Sequence, residues 1–310
     1  MIDIIIATYN GAQFLPSQLD SIIAQEYTDW RILLRDDGSS DATIEVLKDY
    51  SERLQDKLVI LNNKQGNIGI IENFSYLLAS TTAPYIMLCD QDDIWNPDKI
   101  GLTLQTMKAV ELISPDNIPI LVHTDLHVVD KQLNMLDKSF WHYQNINPYL
   151  DSYNKLLIQN TVTGCTVMIN KALLNLTLPI PPQVIMHDWW LALIASTFGK
   201  ITIVNQPTVL YRQHSNNDTG AKEWSLAFIA RKTLTLLNRT ESLKSIRLTQ
   251  QQAEAFYKRF SKQLTNRQKN TIAGYINLEQ KNWFFKVEFL FRHRLLKQGV
   301  IRNIALFLCI

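Results

Sequence analysis

The sequence predicts an α/β fold: a mainly parallel sheet flanked by helices, followed by a helical C-terminal extension. Three observations predict it. Short β-branched runs alternate with segments of helical periodicity from Ile2 to Cys89. The runs are predominantly apolar rather than alternating, as in strands buried on both faces. Three of the runs end in dense polar clusters, and in such sheets ligands sit beyond the carboxyl ends of the strands.

The elements follow in order. Ile2 to Ala7 reads as a first strand ending in Thr8-Tyr9-Asn10-Gly11. Phe14, Leu15, Leu19, Ile22 and Ile23 then recur at helical spacing. Arg31 to Arg35 is a second strand, closed by Asp36-Asp37-Gly38-Ser39-Ser40-Asp41, and Ile44, Leu47 and Leu54 mark the next helix. Leu58 to Leu61 is a third strand before the loop Gly66-Asn67-Ile68-Gly69; Phe74, Leu77 and Leu78 mark a helix, and Tyr85 to Cys89 is a fourth strand. Right-handed crossovers join such β-α-β units. Beyond Asp90 the pattern is less regular. Ile120 to Thr124, Thr163 to Ile169, Ile201 to Val204 and Thr208 to Arg212 read as strands, and Asp188 to Thr197 as a helix. From about Glu223 the chain turns helical, polar and basic, which puts a boundary near residue 222. The expected organisation is a catalytic domain over 1–222, with a nucleotide-binding half to about 100 and an acceptor half after it, and a basic helical region over 223–310.

Composition narrows the function. With 46% hydrophobic and 19% charged residues the chain is globular rather than disordered. A net charge of +2 carries no footprint for nucleic acid. Cys89, Cys165 and Cys309 are too few and too far apart for a disulfide framework or a zinc site, which fits a cytoplasmic location. The N-terminus lacks the basic start and long apolar core of a signal peptide. No apolar run reaches a membrane-spanning length.

The polar clusters carry the chemistry. Asp90-Gln91-Asp92-Asp93 packs three carboxylates into four residues, an arrangement that is costly unless a cation neutralises it. Mg²⁺ or Mn²⁺, held by one or two carboxylates and substrate phosphates, is the natural partner. A solvated turn capping a helix that begins near Asn96 is the plain alternative. In Asp36-Asp37-Gly38-Ser39 one carboxylate can accept from a pyrimidine N3–H, although ordinary turn chemistry, with Ser40 or Asp41 as a helix cap, accounts for the same residues. Asp188, in Met186-His187-Asp188-Trp189-Trp190, is a candidate general base, with the indoles placed to stack on sugars; a helix cap beside core tryptophans is the alternative. Arg212 and His214, in Tyr211-Arg212-Gln213-His214-Ser215-Asn216-Asn217, are candidate diphosphate or metal contacts.

As an ordered set these motifs resemble glycosyltransferase family 2, inverting enzymes of the GT-A fold. Ala7 to Gly11, Arg35 to Asp41, Asn67-Ile68-Gly69 with Asn73-Phe74, Asp90 to Asp93 with Trp95 and Pro97, Gly164-Cys165, His187-Asp188-Trp189 and Tyr211 to His214 carry the likeness, over about residues 1–220. Val122 to Leu126, Asn160 to Gly164 and Met186 to Trp189 extend it to the rhamnosyltransferases of streptococcal-type cell-wall polysaccharides.

The resemblance implies a site. Tyr9 and Asp37 would contact the base, with Thr8, Asn10, Asp36, Asn67, Asn73, Gln91 and Arg212 also on the donor side. Asp90 would face the ribose or metal, and Asp92 and His214 would lie at the metal. Asp188 would be the base, with Gly164, His187, Trp189 and Trp190 on the acceptor side. His187 stands where many members carry an acid. The implied donor is dTDP-L-rhamnose, with UDP-glucose, UDP-galactose and UDP-GlcNAc as alternatives. The implied acceptor is a glycan on a polyprenyl-diphosphate-type lipid. The Gln-x-x-Arg-Trp motif and spanning helices of processive members are absent from this sequence, which implies transfer of one or a few sugars.

Two rivals have other signatures. A sugar nucleotidyltransferase carries a basic, Gly-rich phosphate loop, and Thr8-Tyr9-Asn10-Gly11 has no basic residue. A non-catalytic nucleotide-sugar-binding protein would have no need of Asp188. The C-terminal region, Trp283 to Ile310, mixes aromatic and basic residues. It is expected on the inner face of the cell membrane, with packing on the catalytic domain or a homo-oligomer interface as alternatives.

Overall fold

The computed structural model describes residues 1–61, 66–214 and 239–310. The boundary expected near 222 and the motif residues Ser215 to Asn217 lie outside them. Ile2, Ile4, Ile5 and Ile6 are fully buried and build β1 (Ile2–Thr8) at the centre of a parallel set. β1 pairs in parallel with β2 (Trp30–Asp36) on one side and β4 (Tyr85–Cys89) on the other; β3 (Leu58–Ile60) extends β2. Asp3 stands opposite Arg31 in the β1–β2 register, and Arg31 Nε and Nη2 reach its two carboxylate oxygens at 2.6 and 3.1 Å. The pairing keeps this buried acid ionised against the cost of burial. Helices α1 (Leu15–Ile23), α2 (Thr43–Leu54) and α3 (Ile70–Ser80) make the crossovers.

The second half mixes directions. Helix α4 (Lys99–Leu112) follows the short β5 (Ile94–Trp95). β6 (Ile120–Val129) carries the edge hairpin β7 (Met135–Asp137) and pairs in parallel with β9 (Lys200–Arg212). β8 (Met168–Asn170) is antiparallel to both β4 and β6, and joins the halves into one sheet ordered β3-β2-β1-β4-β8-β6-β9-β5. Three sequence expectations change here. The strand expected over Thr163 to Ile169 begins as a 3-10 turn, Gly164–Thr166, and only then becomes β8. The two strands expected between Ile201 and Arg212 are one, whose register shifts against Thr124 to His127 absorb the irregular middle. The second half is mixed rather than parallel because a three-residue strand inserts in reverse between β4 and β6.

Short helices α5 (Phe140–Tyr143) and α6 (Tyr153–Leu156) and helix α7 (Lys171–Thr177) precede α8 (His187–Phe198). α8 stops at Gly199, whose N–H donates to the Ala195 carbonyl. A Cβ at Gly199 would lie 1.8 Å from the Pro119 carbonyl oxygen, so only glycine lets the chain pass straight from α8 into β9. Gly199→Ala is expected to lower stability by at least about 2 kcal/mol in urea unfolding.

The helical C-terminal region comprises α9 (Arg239–Phe260), α10 (Asn266–Ile276), α11 (Trp283–Arg292) and α12 (Val300–Cys309). A reciprocal Thr265–Gln268 capping box starts α10. The region shares one core with the sheet's helices: Phe256 and Phe260 pack on Trp190, and Leu290, Leu295 and Leu306 join the same cluster. No helix among the described residues is long and apolar enough to cross a membrane.

Candidate active site

A cleft of about 620 Å³ opens at the carboxyl ends of β1, β2 and β4, where the strand order reverses. It gathers Thr8, Tyr9, Asp37, Asn67, Asn73, Asp90, Gln91 and Asp92 on one side and Gly164, His187, Asp188 and Trp189 on the other. These residues lie up to 181 positions apart in the chain (189 minus 8) and meet because the sheet brings β4, β8 and the start of α8 together.

Hydrogen bonds to backbone hold the donor-side loops. The Gln91 side chain accepts from the Tyr9 N–H at 2.9 Å and donates to the Tyr9 carbonyl at 3.1 Å, tying the end of β1 to the turn after β4. This explains Gly11, where a Cβ would sit 2.2 Å from the Gln91 Oε1. Asp37 forms a buried ion pair with Arg35 at 2.6 Å and accepts from the Ile68 and Gly69 amides, which fixes the Asn67 loop. Tyr9 leaves half its surface exposed at the cleft. Asn73 is buried, and its Oδ1 has no hydrogen-bond partner although the residue lines the cleft.

Five expected site residues, Asp36, Asn10, Arg212, Trp190 and His214, do not line the cleft. Asp36 accepts from Thr8 Oγ1, the Gly38 and Ser39 amides and Ser39 Oγ, so it builds the turn instead of meeting a base. Asn10 accepts from the Ser40 amide on the outer surface. The Arg212 guanidinium donates to the Asp92 and Lys131 carbonyls and lies over the Phe14 ring, behind the acidic cluster. Trp190 is fully buried, and its Nε1 donates to the Thr177 carbonyl within the core. Helix capping also differs from expectation: Ala42 and Asp98 occupy the N-cap positions of α2 and α4 without side-chain bonds, and Met186 caps α8.

The acidic cluster divides by depth. Asp90 and Asp92 line the cleft, and His214, stacked on Phe14, reaches Asp92 Oδ2 at 2.9 Å. Asp93 is fully buried beneath them, and its Oδ1 accepts the Arg212 N–H. Burial, with Asp92 and Asp90 close by, pushes the Asp93 carboxyl well up. Asp90, Asp93 and Cys165 bring one ligand atom each within 4.8 Å of one another. Asp93 and Cys165 lie under the cleft floor, so the oxygens open to a cation and its phosphate partner belong to Asp90 and Asp92. Hard carboxylate oxygens of this kind suit Mg²⁺ or Mn²⁺.

Several residues of this region were not singled out from sequence. Lys99 is fully buried, lies over the Trp95 ring and has its ammonium pushed down to about 8 by burial. Asn160, which the sequence reading placed only within the Asn160 to Gly164 motif and gave no role, lines the cleft beside Asp188. Gln144, Ile146 and Phe140 close the acceptor side. The composition of Phe140 to Ile146 gives no hint of a site; these residues come to the cleft through the turn that follows β7.

Asp188 sits in the first turn of α8, where its Oδ1 accepts the Trp189 N–H at 2.6 Å. Burial raises its carboxyl to about 6, and hydrogen bonds from Trp189, Gly164 and Asn160 oppose that rise. A carboxyl in that range can accept a proton near neutral pH. The neighbouring His187 is stacked on Phe74 with ring centroids 3.8 Å apart, and burial lowers it to about 3. It is therefore a neutral imidazole, where an acid would have added a second charge. Trp189 donates its Nε1–H to the Leu156 carbonyl, which fixes its ring in the wall.

Comparison with known proteins agrees with this geometry. The model of the family described as Glycosyl transferase family 2 matches residues 3–175. A dTDP-rhamnosyl transferase of Shigella flexneri, RfbG, is 30% identical over 230 residues, which are 69% of this chain and 73% of that protein. An uncharacterized glycosyltransferase of Nostoc sp. is 25% identical over 225 residues, 70% of this chain and 66% of its own. Among solved structures, TarS 1–349 of S. aureus in complex with UDP-GlcNAc aligns with a TM-score of 0.56 at 13% identity, covering 99% of this chain and 90% of that one. The mannosyltransferase PcManGT of Pyrobaculum calidifontis, in complex with GDP-Man and Mn²⁺, aligns with a TM-score of 0.52 at 16% identity, covering 98% and 77%.

Proposed function

The chain belongs to glycosyl transferase family 2 and has its GT-A fold, and from that premise we propose that it is an inverting L-rhamnosyltransferase moving rhamnose from dTDP-L-rhamnose to a lipid-linked glycan. The observation that carries the reaction type is Asp188, a buried carboxyl raised to about 6 across the cleft from Asp90 and Asp92. The dTDP-rhamnosyl relative supports the choice of sugar.

The residues divide the work. Tyr9, Asp37 and the Asn67 loop hold the nucleotide end. Asp90 and Asp92 would hold Mg²⁺ or Mn²⁺, which supplies positive charge beside the leaving diphosphate. Asp188 takes the proton from the acceptor hydroxyl as its oxygen bonds to the anomeric carbon and the bond from that carbon to the diphosphate oxygen breaks. His187, neutral and flat against Phe74, keeps the wall beside the base uncharged. A lipid-linked acceptor places the enzyme on the inner face of the cell membrane.

A donor screen by calorimetry tests this reading. With Mn²⁺ or Mg²⁺ present, dTDP-rhamnose is expected to bind at least about tenfold more tightly than UDP-glucose, UDP-galactose or UDP-GlcNAc. Tighter binding of a UDP-sugar would reassign the donor within the same chemistry. Donor binding with neither transfer nor hydrolysis would favour a non-catalytic binding protein.

A further inference from the structure

Seven large apolar side chains of α11 and α12 stand exposed: Trp283, Phe284, Phe285, Phe291, Val300, Ile304 and Leu308. Phe284 is 79% exposed and Val300 75%. On α12 the residues Val300, Ile304 and Leu308 follow one another at four-residue spacing, so they share one stripe. The two helices form a single surface, because Trp283 Nε1 donates to the Phe307 carbonyl at 2.9 Å and the Phe291 ring stacks on Phe307. Lys281, Lys286, Arg292 and Arg294 flank this surface, and no ion pair among the described residues engages them. Between residues 281 and 310 the only acid is Glu288.

The inner side of the same helices holds the cleft. Arg302 on α12 donates to the Gln144 and Asn145 carbonyls at 2.6 and 2.9 Å. Gln298 accepts from the Asn147 N–H, donates to the Asn147 carbonyl, and receives the Gln159 Oε1 on its own N–H. Gln144, Ile146 and Asn160 line the acceptor side of the cleft. The α11–α12 face is thus apolar and basic outside, while α12 and the connection before it grip two cleft-lining segments inside.

We propose that the α11–α12 face docks on an anionic lipid bilayer and sets the acceptor wall of the cleft beside that bilayer. Aromatic and aliphatic side chains enter the boundary between headgroups and acyl chains, and the flanking cations meet anionic headgroups. The charge selects this occupant over a second copy of the chain. A two-fold pairing would bring the same cations against themselves, whereas an anionic surface neutralises them. The proposal rests on the reading of the acceptor as lipid-linked, but its test uses neither donor nor acceptor.

Flotation of the full chain with phosphatidylcholine vesicles, with and without phosphatidylglycerol, tests it. Binding to the anionic vesicles is expected to exceed binding to the neutral ones at least about tenfold and to weaken in high salt. Phe284→Glu/Phe285→Glu is expected to lose at least about tenfold of that binding. Thermal unfolding and calorimetric donor binding should be unchanged in this variant, which separates lost docking from lost folding. Equal flotation of variant and wild type overturns the proposal, as does a wild type that does not float. A dimer in light scattering that the variant abolishes, in a wild type that does not float, assigns the face to a second copy and also overturns it. Vesicle binding by a protein that binds no nucleotide sugar would leave the docking face standing and sink the transferase reading instead.

Discussion

Asp188→Asn is expected to lower kcat about 1,000-fold while donor affinity stays within about twofold, because a positioned general base contributes on that scale and the donor end of the cleft lies elsewhere. Single-turnover transfer and calorimetric donor titration measure the two quantities. In the wild type, kcat should rise with pH through about 6 and then level off, since the carboxyl must lose its proton before it can accept one from the acceptor. The stability effect has the opposite sense. The folded carboxyl is raised above its unfolded value of 3.8, so its contribution to folding is full below that value and is lost as pH rises through about 6. At pH 8 the ionised, buried group then costs up to about 3 kcal/mol. Asparagine removes this cost and can still accept the Trp189 N–H, so the inactive variant should unfold at a higher temperature than the wild type at pH 8. A variant that retains transfer, or that is inactive only because it is unfolded, contradicts the assignment.

Asp92→Asn is expected to weaken metal-dependent donor binding by on the order of 100-fold and to leave the small metal-free component unchanged. Asp92 lines the cleft and receives His214 at 2.9 Å, so removing its charge disturbs both the cation position and the ring that braces it. His214→Ala should cost less, about tenfold, if the imidazole orients the carboxylate rather than binding the cation itself. Equal donor titrations for Asp92→Asn and wild type with Mn²⁺ present would move the metal position away from this residue. Asp90 is the neighbouring cleft carboxylate and would be the next to test.

The first half of the fold was legible because each of its strands is a short, predominantly apolar run closed by a turn. Tyr85 to Cys89 matched β4 residue for residue, and each polar run at a strand end fell at the cleft or in its supporting turns. Legibility failed where tertiary contacts decide. Met168 to Asn170 is too short for its direction to show, and only its neighbours β4 and β6 make it antiparallel. α8 is apolar on every side, with both Trp190 and Asp188 buried, so periodicity could not tell which tryptophan faced the cleft. Trp189 does, and Trp190 supports α9 from within the core. Arg212 shows a related failure. A basic residue beside an acidic cluster suggests a phosphate contact, but the fold uses its guanidinium on backbone carbonyls.

The bracing of the donor side has a consequence for how such an enzyme changes its substrate. Asp36, Asp37 and Gln91 all hold loop backbone, so none of them is a recognition element that can be exchanged by itself. A substitution at any of the three displaces a loop before it alters a preference, and selection will remove it for misfolding before it is tested on a new nucleotide. Among the described residues, the side chains of Tyr9 and Asn67 brace no loop in this way, and both line the cleft. Divergence of donor choice among descendants of this chain should therefore accumulate at those two positions, on a frame that stays constant.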